Sequence, residues 1–326
     1  MIASLLISGL MGFSAFAATP PVIRIDGSST VFPITEAVAE EFQTAKKGAV
    51  RVTVGISGTG GGFKKFCRGE TDVQNASRPI SLSEMANCRK AGIKYLELPI
   101  AFDAVVVAVN PKNNWLSEVT ISDLKKIWEP GAQGKIKNWN QVNPKWPNIP
   151  IKLFGAGSDS GTFDFFTEAV VGKAKSSRGD YTASEDDNTL VTGISNDLTA
   201  LGYLPLAYFD ANKAKMKALP IQKDPKTPFV APSRNTVEAG TYYLARPIFI
   251  YVTEKGIEKP EVREFVEFYL KNSPTLVPEV KYVALPAKSY EKSLENVKNK
   301  KYGTIFEGKE PVGLKIEELM KREAAL

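Results

Sequence analysis

The sequence contains no histidine, and only two of its 326 residues are cysteine. Histidine is the commonest general base in enzymes and the commonest side-chain ligand of transition metals, so its absence removes both roles. Two cysteines cannot by themselves form a closed zinc-type site. We therefore expect no metal and no cofactor, and the composition favours a binding protein over an enzyme.

Long apolar runs are scarce, and the run at the N-terminus is short. Residues 2–16 are uncharged and mostly apolar, and Ala15, Phe16 and Ala17 have the small-residue pattern of a signal cleavage site. A retained membrane anchor is the alternative, but a spanning helix needs about 20 residues. The usual basic segment before the apolar run is missing. The sequence nevertheless predicts a signal peptide over residues 1–17 and export of a soluble protein to the periplasm.

The two cysteines are consistent with export. An exported chain meets oxidising conditions, so a disulfide between Cys67 and Cys88 is expected. In the chain-entropy account such a bridge would stabilise the fold by about 3 kcal/mol. Two buried free thiols are the alternative.

Charge is moderate and evenly spread. The net charge is +6, with lysines largely interleaved with acidic residues. This pattern favours an anionic partner but does not form a nucleic-acid-binding patch. An apolar fraction of 43% and a charged fraction of 24% are typical of a soluble globular protein, and the length allows two domains or one large one.

A strand, a loop of glycine, serine and threonine, and then a helix occur in this order three times. The loops lie at residues 27–31, 57–63 and 155–162. A helix N-terminus presents unpaired backbone N–H groups and the positive end of the helix dipole, and both favour an anion. For a single loop the plainer interpretation is a helix cap, with Ser160 or Thr162 closing the third helix. The repetition of the pattern favours an anion site.

An arginine follows a further short strand. Pro79 restricts the preceding residue, Arg78, to an extended backbone. Most arginines are solvated surface residues, but a guanidinium group can also donate two parallel hydrogen bonds to an oxyanion. The three neighbouring loops make Arg78 a candidate ligand residue.

The alternation of strands and helices predicts an α/β fold with a parallel or mixed sheet. Residues 99–111 and 246–252 are apolar and predict two buried strands, and residues 190–201 predict a helix. Two such strands suggest two lobes joined by a hinge of two crossing strands. The ligand of such a fold lies beyond the carboxyl ends of the strands.

Four motifs stand in a specific order and spacing: IDGSSTVFP at 25–33, GISGTGGG at 55–62, NASRPI at 75–80 and DSGT at 159–162. Together they resemble the periplasmic phosphate-binding component of the high-affinity phosphate ABC transporter. The similarity extends from about residue 22 to beyond residue 250. It implies a type II periplasmic-binding-protein fold, in which two lobes close on one dehydrated phosphate and deliver it to a permease in the inner membrane.

The two crossing strands set the expected lobe boundaries, and the resemblance implies a role for each matching residue. The expected lobes are residues 18–103 with 248–326, and residues 104–247. Thr30 and the backbone of Val31 match the first loop, and Thr59 matches a serine of the second loop. The third loop supplies hydroxyl and backbone N–H groups from Ser160, Gly161 and Thr162.

The chain departs from the family pattern at two positions. Gly157 stands where the best-known pattern has an arginine, and Arg78 stands where it has an aspartate that accepts the ligand's proton. Such a carboxylate selects against a fully ionised anion such as sulfate. We hypothesise that Asp159, Glu185 or Asp187 replaces it, either by pairing with Arg78 or by accepting the phosphate proton.

Other functions are compatible with parts of this pattern. The main alternative is a binding component for another oxyanion, such as sulfate, molybdate or phosphonate. A secreted phosphatase is less favoured because the chain has no histidine and no tight carboxylate cluster, and an adhesion or signalling module that kept the fold is similarly disfavoured. We expect a monomer that binds inorganic phosphate and the permease, and no nucleic acid.

Overall fold

The computed structural model describes residues 19–309 and 311–324. The predicted signal peptide, residues 1–17, lies outside the described residues. None of the helices that these residues form combines the length and apolar character needed to cross a bilayer.

The described residues form twelve strands, ten of which join in one mixed sheet. The strands are β1 (Val22–Gly27), β2 (Arg51–Val54), β3 (Val73–Ala76), β4 (Tyr95–Val109), β5 (Val119–Thr120), β6 (Lys152–Ala156), β7 (Thr182–Ser184), β8 (Ala200–Pro205), β9 (Lys217–Ala218), β10 (Ile221–Gln222), β11 (Ala245–Thr253) and β12 (Val283–Ala284).

Twelve α-helices of the described chain alternate with these strands, so the predicted α/β class is confirmed. The helices are α1 (Phe32–Ala45), α2 (Gly58–Phe66), α3 (Leu82–Lys90), α4 (Ile121–Trp128), α5 (Gly161–Val171), α6 (Asp187–Asn196), α7 (Leu206–Ala211), α8 (Arg234–Glu238), α9 (Glu254–Glu258), α10 (Pro260–Glu279), α11 (Ala287–Lys298) and α12 (Ile316–Ala324).

The long strand β4 connects two parts of the sheet. The strand order is β2-β1-β3-β11-β4-β8-β6-β7, and β9 and β12 pair with β4 outside this path. Residues 95–104 of β4 pair with β11, whereas residues 105–109 pair with β8. We call β2, β1, β3, β11 and residues 95–104 the first sheet half, and β8, β6, β7 and residues 105–109 the second sheet half.

The parallel strands of the two halves point towards each other. β3 is antiparallel to β11, and β11 is antiparallel to β4, so β3 runs in the same direction as β4. β8 is antiparallel to β4 and parallel to β6, so both run the opposite way. The carboxyl ends of β1, β3 and β6 therefore lie on the side facing the other half, near the middle of β4. This is where an α/β sheet is expected to bind its ligand.

Helix α1 shows how packing places a loop at this boundary. Pro33 lies in its first turn, where the missing N–H has no cost, and Ile34, Val38 and Phe42 form a fully buried stripe at i, i+4 and i+8. The Phe42 ring packs edge-on against Phe265 of α10, 5.3 Å between centroids. Each buried side chain stabilises this packing by about 1.5–3 kcal/mol. The loop before α1 is thereby held against the end of β1.

The three predicted strand–loop–helix units are confirmed as β1–α1, β2–α2 and β6–α5, and the two predicted apolar strands as β4 and β11. The helix predicted over residues 190–201 is wrong in its last part. Helix α6 ends at Asn196 and β8 begins at Ala200. Between them the Asp197 carboxylate accepts a hydrogen bond from the Thr199 N–H at 2.7 Å, which turns the chain away from the helix.

The predicted disulfide is confirmed. Cys67, directly after α2, is bonded to Cys88 in α3, and both residues are buried. The bond therefore ties α2, whose N-terminus faces the boundary between the sheet halves, to the helix that carries Glu84.

Candidate functional site

The loops before α1 and α5 and the start of α2 bring hydroxyl groups together at the boundary between the sheet halves. Thr30 Oγ1 lies 3.2 Å from Thr162 Oγ1. Thr59 Oγ1 lies 3.2 Å from Ser77 Oγ and accepts a hydrogen bond from the Ser77 N–H at 3.1 Å. All four side chains are buried. The site therefore offers hydroxyls that can either donate or accept hydrogen bonds.

Tyrosines fix the loop that precedes α1. The Tyr208 hydroxyl of α7 donates to the Ser29 carbonyl at 3.1 Å, and the Tyr282 hydroxyl donates to the Thr30 carbonyl at 2.5 Å. Val31, predicted to contribute its backbone, is buried at the N-cap of α1, and its carbonyl accepts from the N–H groups of the following turn. Tyrosine hydroxyls from both sides of the boundary therefore hold the backbone of this loop in place.

Helix α5 begins in close contact with the first sheet half. A Cβ atom at Gly161 would lie 2.6 Å from both Ser77 Oγ and Thr59 Oγ1, so a larger residue does not fit there. Ser160 is the N-cap of α5, and its hydroxyl accepts from the Thr162 N–H at 3.1 Å, as the plainer interpretation of this loop expected. Contact of Ser160 with a ligand remains a prediction.

Arg78 links the two sheet halves. Its Nε donates to Asp164 Oδ2 of α5 at 2.6 Å, and its Nη1 and Nη2 donate to the two carboxylate oxygens of Glu84 at 2.7 and 2.8 Å. The Arg78 and Asp164 side chains are each 3% exposed. Burial acts to raise the pKa of Glu84, but the hydrogen bonds and charge of Arg78, together with hydrogen bonds from Ser81, make the net shift downward. Burial raises the pKa of Asp164, although the charge of Arg78 opposes the rise. Glu84 is therefore the stronger counter-ion of Arg78.

Pairing with Arg78 was one of the two roles hypothesised for Asp159, Glu185 or Asp187. The carboxylates that accept hydrogen bonds from Arg78 are instead those of Asp164 and Glu84. The physical reason is helix geometry. Asp164 lies in the first turn of α5 and faces Arg78, whereas Asp159 precedes the helix and its carboxylate contacts Lys64 instead.

A second buried cation, Arg246, was missed in the sequence. Its Nη1 donates to the Gly161 carbonyl at 3.0 Å, and its Nη2 donates to Thr162 Oγ1 at 2.8 Å and to Asp103 Oδ2 at 3.0 Å. Arg246 is only 1% exposed and its guanidinium lies 5.3 Å from the centroid of the Phe165 ring. A guanidinium group thus stands directly beside the third loop.

A sequence signal for this pair exists. Asp103 and Arg246 are the charged residues within the two apolar segments 99–111 and 246–252, and the strand register places them opposite each other. Charged residues in buried strands are rarely tolerated unless they are paired. Two opposite charges in the two crossing strands therefore predict an ion pair.

Two of the three candidate acids lie at the edge of the site. Both Asp159 carboxylate oxygens are 2.9 Å from Lys64 Nζ, and the Asp159 N–H donates to Glu185 Oε1 at 3.0 Å. Burial raises the pKa of Glu185. A side chain at Gly157 would overlap the Glu185 carboxylate. An arginine at this position, as in the family pattern, would therefore require the Glu185 side chain to move.

Asp187 is the candidate acid that lies within the buried cluster. It is the first residue of α6, it is 3% exposed, and its side chain is hydrogen-bonded to Ser29. Burial raises its pKa to about 7, with Asp103 adding to the shift and Arg246 opposing it. Its Oδ2 atom has no hydrogen-bond partner among the described residues. Asp187 therefore carries an acceptor next to Ser29 and interacts electrostatically with Arg246.

The chemistry of this arrangement is that of anion binding. Across the described ranges, no group of three or more acidic or cysteine residues is placed to hold a metal ion. The residues that converge are instead hydroxyls, helix N-termini and two guanidinium groups, all suited to a compact oxyanion.

Comparison with known proteins identifies relatives along nearly the whole chain. The PBP superfamily domain matches residues 14–273. The chain is 50% identical to Protein SphX of Synechococcus elongatus over 317 residues, which cover 97% of this chain and 93% of that protein. It is 39% identical to the phosphate-binding protein PstS of Staphylococcus saprophyticus over 271 residues, 82% of each chain.

Solved structures give the same fold. A possible phosphate-binding protein from Planctomyces limnophilus is 47% identical, with a TM-score of 0.63 over 86% of this chain and 98% of that chain. A putative phosphate ABC transporter substrate-binding protein from Clostridium perfringens, solved with bound phosphate, is 24% identical, with a TM-score of 0.69 over 81% of this chain and 100% of that chain. These similarities confirm the type II periplasmic-binding-protein fold.

Proposed function

Because the chain belongs to the PBP superfamily and, within it, to the phosphate-binding proteins of ABC transporters, we propose that it captures inorganic phosphate and delivers it to a permease in the inner membrane. In this proposal the protein is exported after removal of residues 1–17, acts in the periplasm as a monomer, and binds rather than transforms its ligand.

The observation that carries the proposal is the convergence of three helix N-termini on buried hydroxyls beside a buried arginine. Helices α1, α2 and α5 begin at this point, and Thr30, Thr59 and Thr162 lie within hydrogen-bonding distance of one another or of Ser77. Helix dipoles and N–H groups favour negative charge without a bound counter-ion. This combination is suited to a small, multiply charged anion.

The proposed phosphate-binding residues are those predicted from the sequence with one addition. They are Thr30, Val31, Thr59, Arg78, Ser160, Gly161, Thr162 and Arg246. Hydrogen bonds to charged groups contribute about 1.5–3 kcal/mol each. Several of them are enough for the roughly −8 kcal/mol of micromolar binding, even after ordering costs.

Asp187 is the proposed proton acceptor that distinguishes phosphate from sulfate. Its unpartnered Oδ2 and its electrostatic interaction with Arg246 support this role, whereas Asp159 is paired with Lys64. A phosphate that keeps one proton can donate it to the Asp187 carboxylate. Fully ionised sulfate has no proton to donate and would meet an unpaired buried charge.

The two proposed lobes are residues 18–103 with 248–326, and residues 104–247. The change of partner along β4 after residue 104 supports the first boundary, and β11, which returns beside β4, supports the second. Contacts between the sheet halves run through Thr30–Thr162 and Arg78–Asp164. In this proposal, ligand capture includes closure of one lobe on the other, which excludes water.

Calorimetry tests the function directly. The chain lacking residues 1–17 would be unfolded, dialysed to remove any bound ligand, refolded, and titrated separately with phosphate, arsenate and sulfate. We expect tight binding of phosphate, weaker or equal binding of arsenate, and no measurable binding of sulfate. Tight binding of sulfate without binding of phosphate would overturn the proposal in favour of another oxyanion.

A further inference from the structure

Lys64 of α2 reaches across the boundary between the sheet halves. Its Nζ lies 2.9 Å from both carboxylate oxygens of Asp159, which precedes α5. The Lys64 side chain is 61% exposed and that of Asp159 is 38% exposed, so the pair sits at the rim of the site rather than inside it. The two residues belong to different sheet halves. The ion pair therefore depends on how the halves are placed.

The same two segments share a backbone contact. The Gly60 N–H, one turn before Lys64 on α2, donates to the Asp159 carbonyl at 2.8 Å. On the opposite side, Glu185 Oε1 accepts from the Asp159 N–H at 3.0 Å. The second sheet half thus positions Asp159, and the first sheet half contacts it with both a backbone donor and a lysine.

We propose that Lys64 and Asp159 form a latch that slows ligand release by holding the two sheet halves together. This inference rests on the proposed function, since it assigns these two residues a part in retaining the phosphate. The latch pair is separated whenever the halves move apart, and each side chain is then solvated. Removing it therefore favours the separated arrangement and raises the release rate.

A latch and simple electrostatic steering make different predictions. If Lys64 and Asp159 only altered the local potential, neutralising the lysine would slow phosphate association and neutralising the aspartate would speed it, because the two charges have opposite signs. A latch requires both changes to act in the same direction on the dissociation rate. It also requires that phosphate dissociates from the double variant no faster than from either single variant.

The experiment is stopped-flow measurement of phosphate association and dissociation in the mature chain. The variants are Lys64→Met, Asp159→Asn and both together, which remove charge while nearly preserving size. We expect each to raise the dissociation rate about two- to five-fold, the range of an exposed ion pair. This difference from the unmodified chain should largely disappear at about 1 M salt, where the Debye length is about 3 Å.

The matched control is Lys94→Met. Lys94 also forms an exposed ion pair between distant segments, with Glu254 at 3.4 Å and exposures of 66% and 32%, but both partners lie on the first sheet half. Phosphate should dissociate from the Lys94→Met variant at the same rate as from the unmodified chain. Equal acceleration by this control and by Lys64→Met would overturn the latch.

A second readout separates failure of the latch from failure of the proposed function. In the ligand-free chain, Lys64→Met should speed hydrogen exchange of the Gly60 amide, which donates across the boundary, and Lys94→Met should not. If the unmodified chain fails to bind phosphate, the proposed function fails and this exchange difference alone decides the latch. Unchanged exchange, or unchanged dissociation in a chain that does bind phosphate, counts against it.

Discussion

Arg246 and Asp103 face each other in register from β11 and β4, with Nη2 and Oδ2 3.0 Å apart and at most 2% of either side chain exposed. Arg246 also donates to Thr162 Oγ1, so the pair connects the crossing strands to the third loop. A buried ion pair adds little net stability over an apolar pair, but removal of one partner is costly. We therefore interpret Asp103 as the residue that fixes the position of a cation beside the site.

Replacing Asp103 with asparagine should make stability depend more strongly on phosphate. The Asp103→Asn variant leaves Arg246 without this counter-ion and should lower the free energy of unfolding by about 3–5 kcal/mol. Phosphate then supplies the missing negative charge, so the ligand-induced rise in Tm should exceed that of the unmodified chain. Thermal unfolding with and without phosphate checks this. A smaller rise would show that Arg246 does not contact the ligand.

A methyl group at Gly161 should weaken phosphate binding. In Gly161→Ala the new Cβ would lie 2.6 Å from two hydroxyl oxygens, so either these hydroxyls or α5 must shift from their positions in the site. We expect at least about ten-fold weaker binding by calorimetry, equivalent to about 1.4 kcal/mol. Gly131→Ala is the control, because a Cβ at Gly131 meets nothing within 4 Å. Equal affinities of the two variants would contradict the close fit.

Asparagine at position 187 should reverse part of the preference for phosphate over sulfate. At pH 8 Asp187 is mainly ionised, because burial raises its pKa only to about 7. Asp187→Asn removes the acceptor and adds an N–H donor, so phosphate affinity should fall by about 1–3 kcal/mol while sulfate binding becomes measurable.

The neighbouring variant Asp186→Asn is the control for this change. Asp186 is exposed and caps α6, a role that asparagine also fills well. Competition titrations at pH 8 compare the two variants. If Asp187→Asn keeps the original selectivity, then Asp187 does not accept the phosphate proton.

Glu97 predicts how stability depends on pH. Its oxygens accept hydrogen bonds from the Tyr251 hydroxyl at 2.6 Å and the Ile305 N–H at 2.9 Å, and burial raises its pKa from 4.5 to about 7. The folded state therefore keeps a proton that the unfolded state loses. The stabilising contribution is complete below about pH 4.5 and is lost as the pH rises through 7.

The variant Glu97→Gln keeps an amide oxygen as acceptor but does not titrate. Between pH 4.5 and 8 the unmodified chain should lose up to roughly 3 kcal/mol more stability than this variant. Glu323, whose pKa burial also raises to about 7, titrates in both proteins. The Glu97 charge adds to that rise, so the contribution of Glu323 cancels only in part. Urea unfolding at the two pH values measures the difference. Parallel losses would mean that Glu97 is not buried as a neutral acid.

Local sequence patterns predicted the elements that carry the site, because their signals are contained within short segments. The loop at residues 155–162 and the helix after it follow from glycine, hydroxyl residues and apolar spacing alone. The end of α6 was missed because the apolar spacing continues through Leu198, yet Leu198 is 47% exposed and the chain has already turned. The exposure of Leu198 depends on where the neighbouring strand lies. The periodicity of the local sequence carries no information about that position.

Pairings between distant residues were harder to predict. The partner of Arg78 was sought among the acids near the third loop, but Asp164 inside α5 and Glu84 in the capping turn of α3 are the partners. An acid of α5 can pair with Arg78 only if it lies on the helix face that points towards Arg78. The packing of α5 against the first sheet half determines which face that is. Arg246 was overlooked because its role depends on strand register with Asp103, a relationship across 143 residues.

The sharing of β4 by both sheet halves has a mechanical consequence. The strand continues without a break from one set of partners to the other, and Asp103 stands within one or two residues of the change. Rotation of one half against the other would be absorbed as torsion of this strand, with its axis passing beside Asp103 and Arg246. Arg246 would then lie next to the rotation axis, where displacement is smallest. Lys64 and Asp159, at the rim of the site, would move furthest.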